Sequence, residues 1–506
     1  MSELQNENIA DRHPLSVRKI RKNSLRREIG ADFVLPDYMG DVKRLLKYTA
    51  TVTPINTLIS EGEVSFLSVL TFRVIYLDGD DLLTEASFTA DAEFSERTAL
   101  VCSSASADYK VQAVSVRLAG PRKMSAKATL TCEAALLEEC EVCSTSAYEG
   151  AESLKREIKI HTQEYLKCAE REYAEEIDKI AETVADDFEI VKSSAVAFID
   201  AVHRTEGGVN LSGYVDAFVI LRSEDGMQRL EKRIPIEEHV ECEEKDGGAF
   251  IPEAHVSSVV VNLNNVSGEN ECAVSVVMNM TVECSVLHHY GESYTVVTDA
   301  FYEGCKNKCA YEDLEYNELS DCIFEKSQLL LTVQRTEEPL YDIIESEMYL
   351  KNPRCEIVGS EATVTSDVEL HLVARGTGAE SCYSIKEKGE FKKKLRLGSS
   401  DVDKTEVNAI PCEVSVSFDG DKIYVESQIL VSLITEARKS ERVLSDIVFE
   451  SEGERDECSI IVYYPDADDT LWNVSKKYGV SMDKISKANG IRNDSIDGLS
   501  RIMIIK

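Results

Sequence analysis

The sequence predicts a mainly β protein with three divergent antiparallel β-rich repeats, sandwich- or barrel-like, followed by a small β-α-α-β domain. Two observations predict the repeats. Similar segments recur between residues 31 and 445, and each contains alternating β-branched and aromatic residues that end at turn-forming residues. A third observation predicts the last domain, because residues 457–506 combine two strand-like runs with two capped helical stretches.

Composition limits the class of protein. The 506 residues are too many for one hydrophobic core, and 43% hydrophobic with 29% charged residues is typical of folded domains in water. The longest apolar runs, such as residues 256–263, are too short for a membrane span, so we expect none. Fifteen cysteines without an N-terminal secretory signal favour reduced thiols in the cytoplasm.

The charge of the chain is unevenly distributed. The formal net charge is −36, whereas residues 1–30 carry seven Lys or Arg against four Asp or Glu. An acidic body repels nucleic acid and anionic lipid, so we expect neither as a main partner. We interpret residues 1–30 as a basic, disordered tail. The alternative is that it contacts an acidic partner or an anionic surface through Arg18, Lys19, Arg21, Lys22, Arg26 and Arg27.

Internal repeats divide the middle of the chain. Tyr148 and Tyr302, 154 residues apart, each begin a Tyr-Glu-Gly motif followed by a charged stretch. Three further segments resemble one another, and each is a strand-like run followed by a turn: 64–80, 210–226 and 361–378. The predicted organisation is a tail (1–30), repeats 1 to 3 (31–145, 146–295 and 296–445), a linker (446–456) and a last domain (457–506).

One stretch between the repeats has a helical pattern. In residues 161–184, Ile177, Ile180 and Val184 recur at helical spacing among acidic neighbours, which predicts a helix. The alternative is a strand followed by a loop, because the matching stretch at residues 315–340 has a more β-like pattern.

The last domain has clear helix boundaries. The strand-like run 460–464 is followed by Asp469, which we predict to be the N-cap of a helix that begins at Thr470 and ends at Gly479. Ser481 is the expected N-cap of a second helix, which ends at Asn489-Gly490. Residues 500–506 then predict a closing strand.

The sequence contains no recognisable catalytic pattern. It has no phosphate-binding loop, nucleophile elbow or HExxH motif, so we predict a protein that is not an enzyme and that carries no cofactor. Cys140 and Cys143 form a CxxC pair and Cys305 and Cys309 a CxxxC pair, but the pairs are far apart and no histidine has ligand spacing to either. We interpret these cysteines as ordinary thiols, and His288-His289 as a surface pair.

Two family resemblances are carried by particular motifs. The stretch FVLPDYMGDVKRLLKYTATV (33–52) resembles the start of SPOCS domains, found in spore coat assembly proteins of clostridia. The tail, with DTLW, KKYGVS and ANGI in this order, resembles a LysM domain. Three SPOCS-like repeats followed by LysM is the arrangement of the SipL-like group. That resemblance implies a non-enzymatic adaptor of endospore formation in the mother-cell cytoplasm, around the forespore, whose partner is the coat morphogenetic ATPase.

The LysM resemblance also implies a binding site. LysM modules typically bind N-acetylglucosamine polymers in a shallow groove between the loop after the first strand and the loop before the second. Carried over by position, the groove residues are Asp469, Thr470, Leu471, Trp472, Asn489, Ile491, Ile496 and Leu499. The alternative function is therefore a protein of the cell wall or spore cortex that binds peptidoglycan.

Two departures from the LysM pattern favour a protein ligand. Asp468 stands where the family has Gly before Asp-Thr-Leu, and Leu499 stands where Gly commonly precedes the last strand. Both changes crowd the lip of the groove, and Leu499 leaves an exposed apolar spot. For Trp472 the sequence leaves two interpretations open: an exposed contact residue, or a ring packed over the adjacent strand.

Overall fold

The computed structural model describes residues 14–505 with short gaps. The residues left out within this range are 146–149, 168–169, 182, 225, 244–247, 268–271, 335–338, 377–381, 421, 453–459 and 493–494. Within the described part, the structure contains no helix that combines the length and apolar character needed to cross a membrane.

Repeat 1 consists of two three-stranded antiparallel sheets. Its strands are β1 (Pro14–Val34), β2 (Val42–Ser60), β3 (Glu63–Asp78), β4 (Leu83–Arg97), β5 (Val101–Gly120) and β6 (Lys123–Thr145). The middle three strands form a meander, β2-β3-β4, and the last strand lies between the first and the fifth, β1-β6-β5. The alternating burial along β3 shows why it is a strand, because every second side chain enters the core.

Repeats 2 and 3 have the same topology. Repeat 2 contains β7 (Ala151–Lys167), β8 (Arg171–Ala181), β9 (Glu189–Thr205), β10 (Gly208–Ser223), β11 (Gly226–Glu241), β12 (Ala249–Ser267) and β13 (Cys272–Tyr302). Repeat 3 contains β14 (Cys305–Gln334), β15 (Leu340–Val358), β16 (Glu361–Gly376), β17 (Tyr383–Arg396), β18 (Lys404–Asp419) and β19 (Lys422–Glu452). In repeat 2, β7 and β8 together take the place of the single first strand, and both pair with β13.

Each repeat is a β-sandwich. One apolar core per repeat joins residues of both sheets, for example Phe72 of β3 with Leu130 of β6 in repeat 1. The cores of repeats 2 and 3 are built in the same way from their meanders and their last strands. The predicted mainly β fold of three antiparallel repeats is therefore confirmed, in its sandwich form.

The basic segment at the N-terminus is part of repeat 1. Residues 14–34 form β1 and pair along their length with β6, so the expected disordered tail is wrong for residues 14–30; residues 1–13 lie outside the described part. Three of its basic side chains also find acidic partners in the repeats. Arg18 pairs with Glu292 of repeat 2, Arg21 with Glu96 of repeat 1, and Lys22 with Glu406 of repeat 3.

The helix expected at residues 161–184 is also wrong. This segment contains the end of β7 and the whole of β8, followed by a 3₁₀ turn at Ala185–Asp187. β8 satisfies its backbone by pairing with β13, where Ile177 enters the core of repeat 2. Long-range pairing thus outweighs the local helical spacing.

Two strands run across predicted domain boundaries. β13 continues past residue 295 to Tyr302, and β19 continues to Glu452, through part of the segment interpreted as a linker.

The three repeats meet around a common centre. One apolar seam joins their meanders through Ile75, Ile220 and Val373. On the neighbouring strand, each of these residues pairs with a charged residue of its own repeat. The pairs are Ile75 with Lys47, Ile220 with Lys192 and Val373 with Glu345. Because repeat 3 supplies a carboxylate where the others supply lysine, the three side chains form a buried ion cluster. A second apolar seam joins the repeats through Val17, Val142, Ile158, Ile160, Val296, Leu314 and Val443.

The last domain has the predicted β-α-α-β order. It contains β20 (Ile460–Tyr463), α1 (Leu471–Tyr478), α2 (Met482–Asn489) and β21 (Ile502–Ile505), with β20 and β21 antiparallel.

Candidate functional site

The first loop of the last domain is ordered by its own polar side chains. Thr470 Oγ1 accepts a hydrogen bond of 3.1 Å from Asn473 N, so Thr470 is the N-cap of α1 and the assignment of that role to Asp469 is wrong. Asp469 Oδ2 instead accepts from Tyr463 Oη at 2.6 Å and from Asp466 N at 2.8 Å. These bonds lower the pKa of Asp469 and fold its carboxylate back onto the loop.

The helix ends agree with the sequence interpretation. Gly479 ends α1 and Gly490 ends α2, both in the left-handed conformation at φ 63° and 66°. Ser481 is the N-cap of α2, although its side chain makes no capping hydrogen bond.

Several residues assigned to the groove belong to the interior of the domain. Leu471 and Ile496 are buried in its core, and Ile491 packs against that core. The Asn489 amide donates to Met503 O at 2.6 Å and accepts from Met503 N at 2.7 Å, which joins α2 to β21. None of these four residues has a freely exposed side chain.

Two of the residues assigned to the groove are exposed. Thr470 lies exposed at the end of the first loop, and Leu499 is 38% exposed in the second. Asp468, which replaces the family glycine, is exposed as well. A ligand between the two loops therefore meets a hydroxyl, a carboxylate and an aliphatic side chain.

Trp472 lies on another face of the domain. It is only 6% exposed, packs on Phe301 with ring centroids 5.3 Å apart, and donates its indole N–H to Asp299 at 2.8 Å. Lys476 Nζ lies 2.5 Å from the other oxygen of Asp299. Burial alone would raise the pKa of Asp299, but the bonds from Lys476, Trp472 and Tyr311 lower it. Of the two interpretations of Trp472, the structure shows the packed ring and not the exposed contact residue.

A second set of contacts completes this interface. Glu303 accepts from Ser481 N at 2.7 Å and from Lys484 Nζ at 2.6 Å. The backbones touch as well, because Gly304 N donates to Gly479 O at 3.0 Å. A Cβ on Gly479 would lie 3.0 Å from Gly304 N, so this approach needs glycine.

The sequence contains one signal for the surface that receives the last domain. Glu303 and Gly304 belong to the second Tyr-Glu-Gly motif, whose recurrence predicts a repeat but does not predict a contact surface. In the structure this motif lies at the junction of β13 and β14 and receives the last domain. The first motif, which begins at Tyr148, falls largely outside the described residues.

The polar contacts of this interface come from outside the two loops assigned to the groove. The hydrogen bonds from the last domain to the repeats come from Trp472, Lys476, Ser481 and Lys484 and from the backbone contact of Gly479 with Gly304. Among the described residues of the two loops, 464–470 and 490–501 without 493–494, none makes a hydrogen bond or ion pair to a repeat.

The cysteines and histidines do not form a metal centre in the described part of the chain. No group of three or more His, Cys, Asp or Glu there is arranged to hold a metal ion. Cys140, Cys305 and Cys309 are free thiols, and the side chain of Cys143 lies outside the described part. His288 and His289 are fully buried, so the expectation of a surface pair is wrong.

Comparison with known proteins identifies the last domain. Residues 467–497 match the LysM domain family. No curated protein and no solved structure gives a significant match to this chain. The chain therefore carries a LysM domain at its C-terminal end, a domain type that suggests binding of peptidoglycan or a related carbohydrate.

Proposed function

We propose that the protein is a non-enzymatic adaptor that presents the two groove loops of its LysM domain to a ligand. One observation carries this proposal: the LysM domain is attached to the repeats through Trp472, Lys476, Ser481 and Lys484, while its groove loops make no described polar contact with the repeats. A domain fixed in this way loses little further freedom when it binds, which favours affinity.

The ligand that we favour is a protein of the spore coat. The resemblance of residues 33–52 to SPOCS domains and the order of three repeats and LysM support a role in endospore formation, with the coat morphogenetic ATPase as partner. The groove edge supports a protein ligand on physical grounds, since Leu499 is an exposed aliphatic side chain and Asp468 an exposed carboxylate. The proposed location is the mother-cell cytoplasm, around the forespore.

The second candidate is binding of peptidoglycan, in the cell wall or the spore cortex. It is favoured by the match of residues 467–497 to LysM, because LysM modules typically bind N-acetylglucosamine polymers. Thr470 and the backbone of the two loops would supply its polar contacts.

Capture experiments with the full chain separate the two candidates. The bait is immobilised coat ATPase in one arm and insoluble peptidoglycan in the other. Leu499→Asp places a charge on the groove edge, whereas Lys487→Ala, 80% exposed on α2 and outside the loops, is the matched control. The adaptor proposal expects ATPase capture that Leu499→Asp reduces at least tenfold and Lys487→Ala leaves unchanged.

Other outcomes contradict the proposal. Capture by peptidoglycan alone, with the same sensitivity to Leu499→Asp, supports the second candidate. Capture in neither arm contradicts both. A tagged copy that does not surround the forespore in a sporulating cell contradicts the proposed location.

A further inference from the structure

Two buried histidines lie where repeats 2 and 3 meet. His161 of β7 and His289 of β13 belong to repeat 2, and His161 Nε2 lies 3.1 Å from His289 Nδ1. The other ring nitrogen of His161, Nδ1, bonds to Glu436 of β19 in repeat 3. All three side chains are nearly or fully buried. Glu436 is also held by Asn317 at 3.1 Å and Lys404 at 3.3 Å, both from repeat 3.

Only one hydrogen atom fits between the two facing ring nitrogens, His161 Nε2 and His289 Nδ1. Since Nδ1–H of His161 donates to the Glu436 carboxylate, either His161 Nε2 accepts from His289 or it carries a second hydrogen and donates to His289. When both rings are charged, hydrogens on the two facing nitrogens point at each other and the contact becomes repulsive. The remaining nitrogen, His289 Nε2, is buried and has no hydrogen-bond partner among the described residues.

The groups around His289 make a positive charge on its ring still less favourable. Among the described residues, the titratable and charged groups that face it are His161 of β7, Lys22 of β1, Glu436 of β19 and its neighbour His288. Burial, His161 and Lys22 hold the pKa of His289 well below its ordinary value of 6.5, and Glu436 only partly opposes them.

A cavity borders this junction. A cavity of about 650 Å³ is lined by residues of all three repeats, including Lys19 of β1, His161 of β7 and Asn317 of β14. Ile160, next to His161, belongs to the second apolar seam between the repeats. The pair therefore lies beside both this cavity and the second apolar seam.

We propose that the His161–His289 pair is an acid-sensitive contact, which opens the junction of repeats 2 and 3 when His289 takes up a proton. The open junction takes up a proton at His289 that the closed junction excludes. The closed state is thus favoured above about pH 6.5 and loses this advantage as the pH falls below that value. Glu436 stays ionised in this range, because its pKa of about 2 in the closed state rises only to its ordinary 4.5 on opening.

Hydrogen exchange on the full chain tests the proposal. Corrected for intrinsic exchange, the protection of β7 and β14 is expected to fall about tenfold between pH 7.5 and 5.5, as one extra proton in the open state requires. His289→Gln cannot take up this proton, so its protection is expected to be the same at both pH values. His203→Gln, at an exposed position of β9, is the control and is expected to behave as the natural chain.

Two results would overturn the proposal. One is protection in the natural chain that does not change between the two pH values. The other is a fall in His289→Gln as large as in the natural chain. Should His289→Gln fail to fold, the ring resonances of the natural chain decide: titration of His289 near pH 6.5 without a change in exchange contradicts the acid-sensitive contact.

Discussion

Trp472 and Asp299 are 173 residues apart in sequence and share a hydrogen bond of 2.8 Å between the indole N–H and the carboxylate. The same carboxylate accepts from Lys476 and from Tyr311. One side chain of repeat 2 therefore holds the LysM domain by two of its residues and also contacts β14 of repeat 3.

We predict that Asp299→Asn releases the LysM domain without unfolding it. Losing the charge on this acceptor is expected to cost about 1.5–3 kcal/mol of docking free energy. Trp472 is the only tryptophan of the chain, so its fluorescence reports the change directly, and we expect its emission to move to longer wavelength. Asp483→Asn, 87% exposed on α2, is the control and should leave the spectrum unchanged. An unshifted spectrum in Asp299→Asn contradicts the prediction.

Glu345 is predicted to be essential for the association of the repeats. It is 1% exposed and pairs with Lys47 and Lys192, whose side chains are 2% and 3% exposed. Glu345→Gln leaves two buried ammonium groups with less compensation and is expected to destabilise the chain by about 3–5 kcal/mol. Urea unfolding measures this loss. Glu361→Gln, which breaks the exposed pair with Lys394, should cost less than about 1 kcal/mol.

Arg18 is predicted to connect repeat 1 to repeat 2. Its guanidinium pairs with Glu292, and its backbone N–H donates to Tyr294 Oη at 3.0 Å. Arg18→Gln removes the ion pair and is expected to increase proteolysis at β1 and to lower the melting temperature by a few degrees. Arg26→Gln changes an exposed residue of the same strand and serves as the control. Equal melting temperatures for the two variants would show that the Arg18–Glu292 ion pair contributes nothing to thermal stability.

Stability at low pH is predicted to depend on Glu436. Burial alone would raise its pKa, but His161, Lys22 and Lys404 lower it to about 2, against an ordinary value of 4.5. The resulting stabilisation is fully present above pH 4.5 and is lost as the pH falls towards 2. In urea unfolding, we expect Glu436→Gln to be less stable at pH 7 and to lose less stability than the natural chain between pH 4.5 and 3. Glu325→Gln, at a 47% exposed position, is the control. A parallel loss in all three proteins contradicts the assignment.

Local patterns in the sequence were sufficient for much of the fold. The alternation in residues 64–80 predicts β3, because period-two patterning is what a half-buried strand needs. Gly479 and Gly490 likewise mark the helix ends, since a left-handed residue is required there. The groove itself stays a prediction. Leu471 and Ile496, which the resemblance assigns to it, belong to the core of the domain, and Trp472 packs against Phe301 of repeat 2.

The sequence by itself determined the β-rich repeats, the order β-α-α-β at the end of the chain and the LysM resemblance, because propensity, periodicity and capping act between neighbouring residues. Only the tertiary structure decided the rest. It placed the basic residues 14–34 in a strand, turned the helical pattern at 161–184 into β7 and β8, and buried Trp472 against Asp299. Each of these outcomes depends on a partner at least 89 residues away. A local pattern contains no information about which distant strand or charge will complete it.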